Sequence, residues 1–138
     1  MPAIRRQILI AASPRTVWRS LTTADGLAEW LVDEARIDAR KGGRVVFCSD
    51  DDEGKRIEEH GIIHTWRPTS HLEIAFDRIG PGPLKGTRLS FQVAVDSDQT
   101  RLSIVHSGDA VEDPEQHARF EQEWRQAMRA LQGQLDRD

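Results

Sequence analysis

The fold is decided by residues 113–135, DPEQHARFEQEWRQAMRALQGQL. Asp113 offers a carboxylate at an N-cap. Pro114 fits the first helical position because it has no N–H to leave unpaired, and Gln116 stands where a capping box needs it. Phe120, Trp124, Ala127, Met128, Leu131 and Leu135 then recur at helical spacing and form one apolar stripe. From Pro114 to Leu135 such a helix is about 33 Å long. Its single apolar face needs a broad partner, and a sheet supplies one. Gly133 predicts fraying of the last turn.

Upstream, the period is two rather than 3.6. Leu102, Ile104 and His106 share one face of a strand, opposite Ser103 and Val105. Leu89, Phe91, Val93 and Val95 alternate with Ser90, Gln92, Ala94 and Asp96, and Asp96–Gln99 makes the hairpin between the two. Leu72, Ile74 and Phe76 form a half-buried strand. Arg56 to Trp66 reads as a strand with Gly61 inside it, and Pro68 ends it. Arg44 to Cys48 is a strand after the Lys41-Gly42-Gly43 turn, and residues 35–39 are a weaker one. Gly80-Pro81-Gly82-Pro83 rules out regular structure there.

Further out, Ile4 to Ala11 alternates as a first strand. Ser13-Pro14 caps a short helix carrying Val17, Trp18 and Leu21. A second short helix runs from about Ala24 to Leu31 with Leu27, Trp30 and Leu31. The order is strand, two short helices, six strands, long helix. Hairpin spacing makes the sheet antiparallel, and helices segregated to one face make the class α+β.

Composition narrows the function. The chain has 138 residues, which fits a single domain spanning 1–138, and its net charge is −4. That balance argues against a nucleic-acid partner bound by phosphate neutralisation. No segment has the ~18 apolar residues of a membrane helix, and residues 1–12 do not read as a signal peptide. The expectation is a cytoplasmic protein, monomer or homodimer. One cysteine, Cys48, excludes an internal disulfide and a Cys-rich zinc site; it reads as a small buried hydrophobe. There is no Tyr and only three Lys among the 19 basic residues, so acid–base chemistry would fall to His, Asp, Glu or Cys.

The pieces Ser13-Pro14-x-x-Val17-Trp18-x-x-Leu21, Trp30, Gly42-Gly43, Gly61-Ile62-Ile63, Trp66-x-Pro68, Leu72-x-Ile74-x-Phe76, His106-Ser107-Gly108 and Trp124 occur in one order over almost the whole chain. In that order the sequence resembles the START/Bet v 1-like (SRPBCC) superfamily, and within it the Aha1-like group, similar to the C-terminal domain of the Hsp90 ATPase activator. The resemblance implies a helix-grip fold: a curved antiparallel seven-stranded sheet wrapped around the long C-terminal helix, with two short helices after the first strand. It also implies a pocket between helix and sheet. Members bind apolar molecules there, some are cyclases or dehydratases, and the Aha1-like eukaryotic members bind a chaperone.

On that reading the cavity would be lined by Trp30, Phe47, Ile63, Phe76, Phe91, Ile104, His106, Trp124 and Met128. No metal, cofactor or catalytic residue is assigned. His60 and His64 lie four apart, but on a strand that separation is ~13 Å, too far for one ion. Asp50-Asp51-Asp52-Glu53 lacks the spacing of a calcium loop and reads as a solvated hairpin tip. Arg36, Arg40, Lys41 and Arg44 read as charge protecting a sheet edge. His106 reads either as a strand-end tether or as an acid–base group oriented by Asp109. The leading expectation is binding of an apolar or aromatic small molecule. A protein-interaction role, with a chaperone or another macromolecule, comes second, and a cyclase or dehydratase using His106 third.

Overall fold

The structure is a computed structural model, described over residues 3–136. Strand β1 (Ile4–Ile10) is followed by helices α1 (Pro14–Thr22) and α2 (Ala24–Ala28). Six strands come next: β2 (Glu34–Ile37), β3 (Arg44–Asp50), β4 (Arg56–Arg67), β5 (His71–Phe76), β6 (Arg88–Asp96) and β7 (Gln99–Ser107). A single turn of helix, α3 (Asp109–Glu112), precedes α4 (Pro114–Leu135). The seven strands form one antiparallel sheet in the order β1-β7-β6-β5-β4-β3-β2. This is the expected α+β helix-grip architecture, with α3 as an element that the sequence reading did not contain.

Each helix begins where its cap chemistry places it. The Ser13 and Asp113 side chains accept from the backbone N–H of Thr16 and Gln116, and Thr23 does the same for Gly26. Helix α2 is shorter than the sequence suggests: Glu29 caps it, and residues 29–31 turn instead. The turn carries Trp30 inward, where its indole N–H donates to the Ser20 carbonyl at 2.9 Å. Helix α4 runs past Gly133 to Leu135 without fraying. Tertiary bonds hold its last turn: the Gln132 amide donates to the Leu9 carbonyl at 2.7 Å, and the Ala11 N–H donates to the Asp136 carboxylate at 2.7 Å. Removing the α4 cap with Asp113→Ala should lower stability by about 1 kcal/mol, read as a lower urea midpoint at unchanged slope.

The inner face of the sheet is the core. Register places Ile8 beside Leu102, Ile104 beside Phe91, Phe91 beside Leu72, and Ile74 beside Ile63. Helices α1, α2 and α4 close this face with Val17, Leu21, Leu27, Phe120, Trp124, Met128 and Leu131, all buried. A bulge in β4 between Ile63 and Thr65 alters the expected alternation. One extra residue, His64, turns the strand over, so Trp66 pairs with Leu72 and reaches Trp18 on the inner face, with ring centroids 5.4 Å apart.

Candidate functional site: a cavity under the long helix

A cavity of about 900 Å³ lies beneath the N-terminal half of α4. Its walls come from α4 (Phe120, Trp124, Ala127), the turn after α2 (Trp30, Leu31), β3 (Phe47) and the loop between β5 and β6 (Pro83, Leu84). That volume falls in the range of small-molecule sites, about 300–1,000 Å³. The hairpin tip at 50–53 lies at the rim, and so do Glu123 and Arg119 on α4. Asp51 shapes the tip by accepting from the N–H groups of Glu53 and Lys55 at 2.9 and 2.8 Å. Asp52 receives a bond of 3.0 Å from the Arg119 guanidinium. The acidic run, expected to be a solvated turn, therefore also reaches across to the grip helix. Asp52 is 83% exposed at the side chain, so this pair is a weak clasp.

Of the nine residues expected to line the space, Trp30, Phe47, His106 and Trp124 do so. Ile63, Phe76, Phe91, Ile104 and Met128 do not reach it; they lie deeper in the packed core, to which Trp30, Phe47 and Trp124 also belong. The two groups touch. Phe91 meets both Trp30 and Trp124 at centroid distances of 6.2 Å, and Phe76 meets Phe47 at 5.5 Å. The buried aromatics thus form the floor on which the cavity walls stand.

His106 is fully buried and joins three elements. An indole N–H can only donate. Trp124 donates to Nδ1 of His106 at 3.1 Å, so that nitrogen carries no proton. The proton sits on Nε2, which donates to the Thr87 hydroxyl at 3.0 Å. Thr87 in turn donates to the Leu84 carbonyl at 2.7 Å. The chain runs in one direction from α4 through β7 to the loop before β6. Burial pushes the imidazole down to about 4, so it is neutral at physiological pH. Phe120 packs edge-on against the ring, with centroids 4.7 Å apart. Both ring nitrogens are engaged, and Asp109 is the partner of neither. The geometry makes His106 a tether of the helix and the loop.

Glu59 is a cavity residue that the sequence reading missed. It lies on β4 directly opposite Phe47 of β3, on the inner face with Gly61 and Ile63. Its carboxylate accepts from the Leu84 N–H at 2.6 Å, holding the loop over the cavity. Burial raises this carboxyl above its ordinary range; the Leu84 bond opposes the rise, and the charge of Glu123 adds to it. Glu123 is raised too, by burial first, with Arg119 opposing and Asp52 adding. A signal for Glu59 existed in the strand parity, since it is two residues before Gly61 and four before Ile63.

The remaining charged candidates face outward. His60 pairs with Glu58 at 3.3 Å, and His64 lies 3.9 Å from Glu73. Among the described residues no group of three or more His, Cys, Asp or Glu could hold a metal ion. Arg36, Arg40 and Arg44 pair with Glu58, Asp38 and Asp77. Cys48 is buried on the outer face, 1% exposed. No helix among the described residues is long and apolar enough to cross a membrane.

Residues 11–136 match the family model described as Activator of Hsp90 ATPase homolog 1-like protein. Among curated proteins, none matches the chain significantly. Solved structures share the fold. A protein from Nitrosomonas europaea superposes with a TM-score of 0.83 at 18% identity, covering 99% of this chain and 95% of its own. A protein from Chromobacterium violaceum gives 0.79 at 22% identity over 100% of both chains. The Aha1 dimer from Colwellia psychrerythraea gives 0.77 at 24% identity, covering 99% of this chain and 97% of that one. With the family model spanning nearly the whole chain and the helix-grip sheet beneath it, this protein belongs to the Activator of Hsp90 ATPase homolog 1-like family.

Proposed function

We propose that the protein binds an apolar or aromatic small molecule in the cavity beneath α4. The supporting observation is the cavity itself: about 900 Å³ walled by Trp30, Phe47, Leu84, Phe120 and Trp124. What apolar surface the walls leave open to water gains by being covered. The His106 chain supports binding over catalysis, because it spends both imidazole nitrogens on holding the wall in place.

A neutral aromatic fluorophore, N-phenyl-1-naphthylamine, tests the reading. Its emission should rise on mixing with the protein, and at saturation the melting temperature should climb by several degrees because only the folded state binds. Ala127→Trp, which places a large ring inside the cavity from a half-buried position on α4, should abolish both responses while the variant remains folded. A wild-type protein that neither brightens the probe nor gains stability with it would end the proposal.

A macromolecular role has one specific support, the family description, which names an activator of the Hsp90 ATPase. On that reading the charged rim and the clasp between Asp52 and Arg119 would form part of a contact surface. Capture of a purified Hsp90-type chaperone at physiological salt tests it, and no retention counts against it.

A further inference from the structure

The cavity is apolar in its walls but not in its charge. Its lining carries six carboxylates, Asp50, Asp51, Asp52, Glu53, Glu59 and Glu123, against two cations, Arg119 and Lys85. Arg119 is already engaged, by Asp52 at 3.0 Å and Glu123 at 3.6 Å. Glu59 differs from the rim carboxylates. It points into the inner face beside Phe47, and its one hydrogen bond is from a backbone N–H. Among the described residues no Lys, Arg or His forms an ion pair with it. A half-buried carboxylate with one neutral donor is under-solvated, and two lone-pair directions or more stay open on it.

Resting on the small-molecule reading above, we infer that the ligand is a cationic amphiphile: an amine on an aromatic or aliphatic body, its ammonium group received by Glu59 and Glu123 while the body lies against Trp30, Phe47 and Trp124. An ammonium brings up to three donors to an acceptor that has one, and such charge-assisted bonds are about twice as strong as neutral ones. Burial raises the carboxyl of Glu59, which marks a place where negative charge is held at a disadvantage until a cation arrives. The aromatic walls add to the same preference, since ring faces attract cations. A carboxylate ligand would meet the opposite field, with Lys85 the one lining cation outside an ion pair among the described residues.

Dodecylamine, dodecanol and dodecanoate share one tail and differ in headgroup charge. Each is titrated below its aggregation threshold into the full chain at neutral pH, with binding followed by calorimetry. Dodecylamine should bind about tenfold or more tightly than either of the others. Glu59→Gln keeps an oxygen for the Leu84 N–H and removes the charge; with Glu123→Gln it should erase that preference, so that the amine binds no more tightly than the alcohol. Equal binding of the three, or tighter binding of dodecanoate, overturns the charge inference and leaves the apolar cavity standing. Failure of all three to bind overturns both.

Discussion

Replacing His106 by Leu lowers the unfolding free energy by about 3 kcal/mol at neutral pH. The leucine supplies apolar bulk and no acceptor, so the buried Trp124 N–H loses the partner it has in His106. An orphaned donor of this kind costs about 1–3 kcal/mol. The Thr87 hydroxyl loses the bond from Nε2, and Phe120 and Trp124 lose edge-on ring contacts at 4.7 and 5.9 Å. The chain predicts a coupling as well. Trp124→Phe removes the donor that His106→Leu would strand, so the double variant should be less destabilised than the sum of the singles by about 1 kcal/mol or more. Urea titrations of the four proteins measure this, and strict additivity would show that the two side chains do not act as a unit.

The second large effect is on pH dependence. The His106 imidazole titrates near 6.5 in the unfolded chain and near about 4 in the folded protein, because burial disfavours its charged form. Between those values the unfolded state takes up a proton that the folded state refuses. The stability tied to His106 is therefore whole above pH 6.5 and is lost as pH falls toward 4. At ~1.4 kcal/mol per pH unit the loss is about 3 kcal/mol. Protonating Nδ1 would also set two donors against each other, since Trp124 already points its N–H at that atom. Glu59 and Glu123 act in the reverse sense. Their raised carboxyls stabilise the folded state at low pH, and that contribution fades as pH rises through their folded values. Comparison with His106→Leu isolates the histidine. The gap in stability between wild type and variant should be widest above pH 6.5 and should close as pH approaches 4. A gap that stays constant over this range would rule out a depressed imidazole.

The architecture was legible because most of its signals are local. The cap at Asp113 and the stripe from Phe120 to Leu135 define α4 without reference to the rest of the chain. Alternation at Leu72-Ile74-Phe76 and Leu102-Ile104-His106 gives the inner face directly. What stayed hidden depends on pairing. The β4 bulge is invisible in the run Gly61–Trp66, since His64 differs from its neighbours only in having no counterpart on β5. The end of α4 was misread at Gly133 because propensity acts locally, while the bonds from Gln132 and Asp136 come from the opposite end of the sequence. Of the cavity lining, Trp30, Phe47, His106 and Trp124 were among the residues expected there, whereas Phe120 and the carboxylates were not. In a chain with 23 acidic residues, Glu59 is singled out only once the inner face and the loop at Leu84 are known. Phe91 and Ile104 carry the same apolar pattern as Phe47 and share the core with it, and only packing brings Phe47 to the cavity as well.

The bonds that fasten α4 to β1 also have a meaning in time. They join residues 125 and 123 positions apart, and β1 itself pairs with β7, across most of the chain. Closing so long a loop is entropically unfavourable, so contacts of this separation form late. On a ribosome the first strand would emerge well before either neighbour exists. Ile4, Ile8 and Ile10 would wait unpaired, in a segment prone to pairing with another chain. The end of α4, by reaching the Leu9 carbonyl and the Ala11 amide, closes that interval. Nascent chains shortened before Gln132 should therefore aggregate more readily than the full chain.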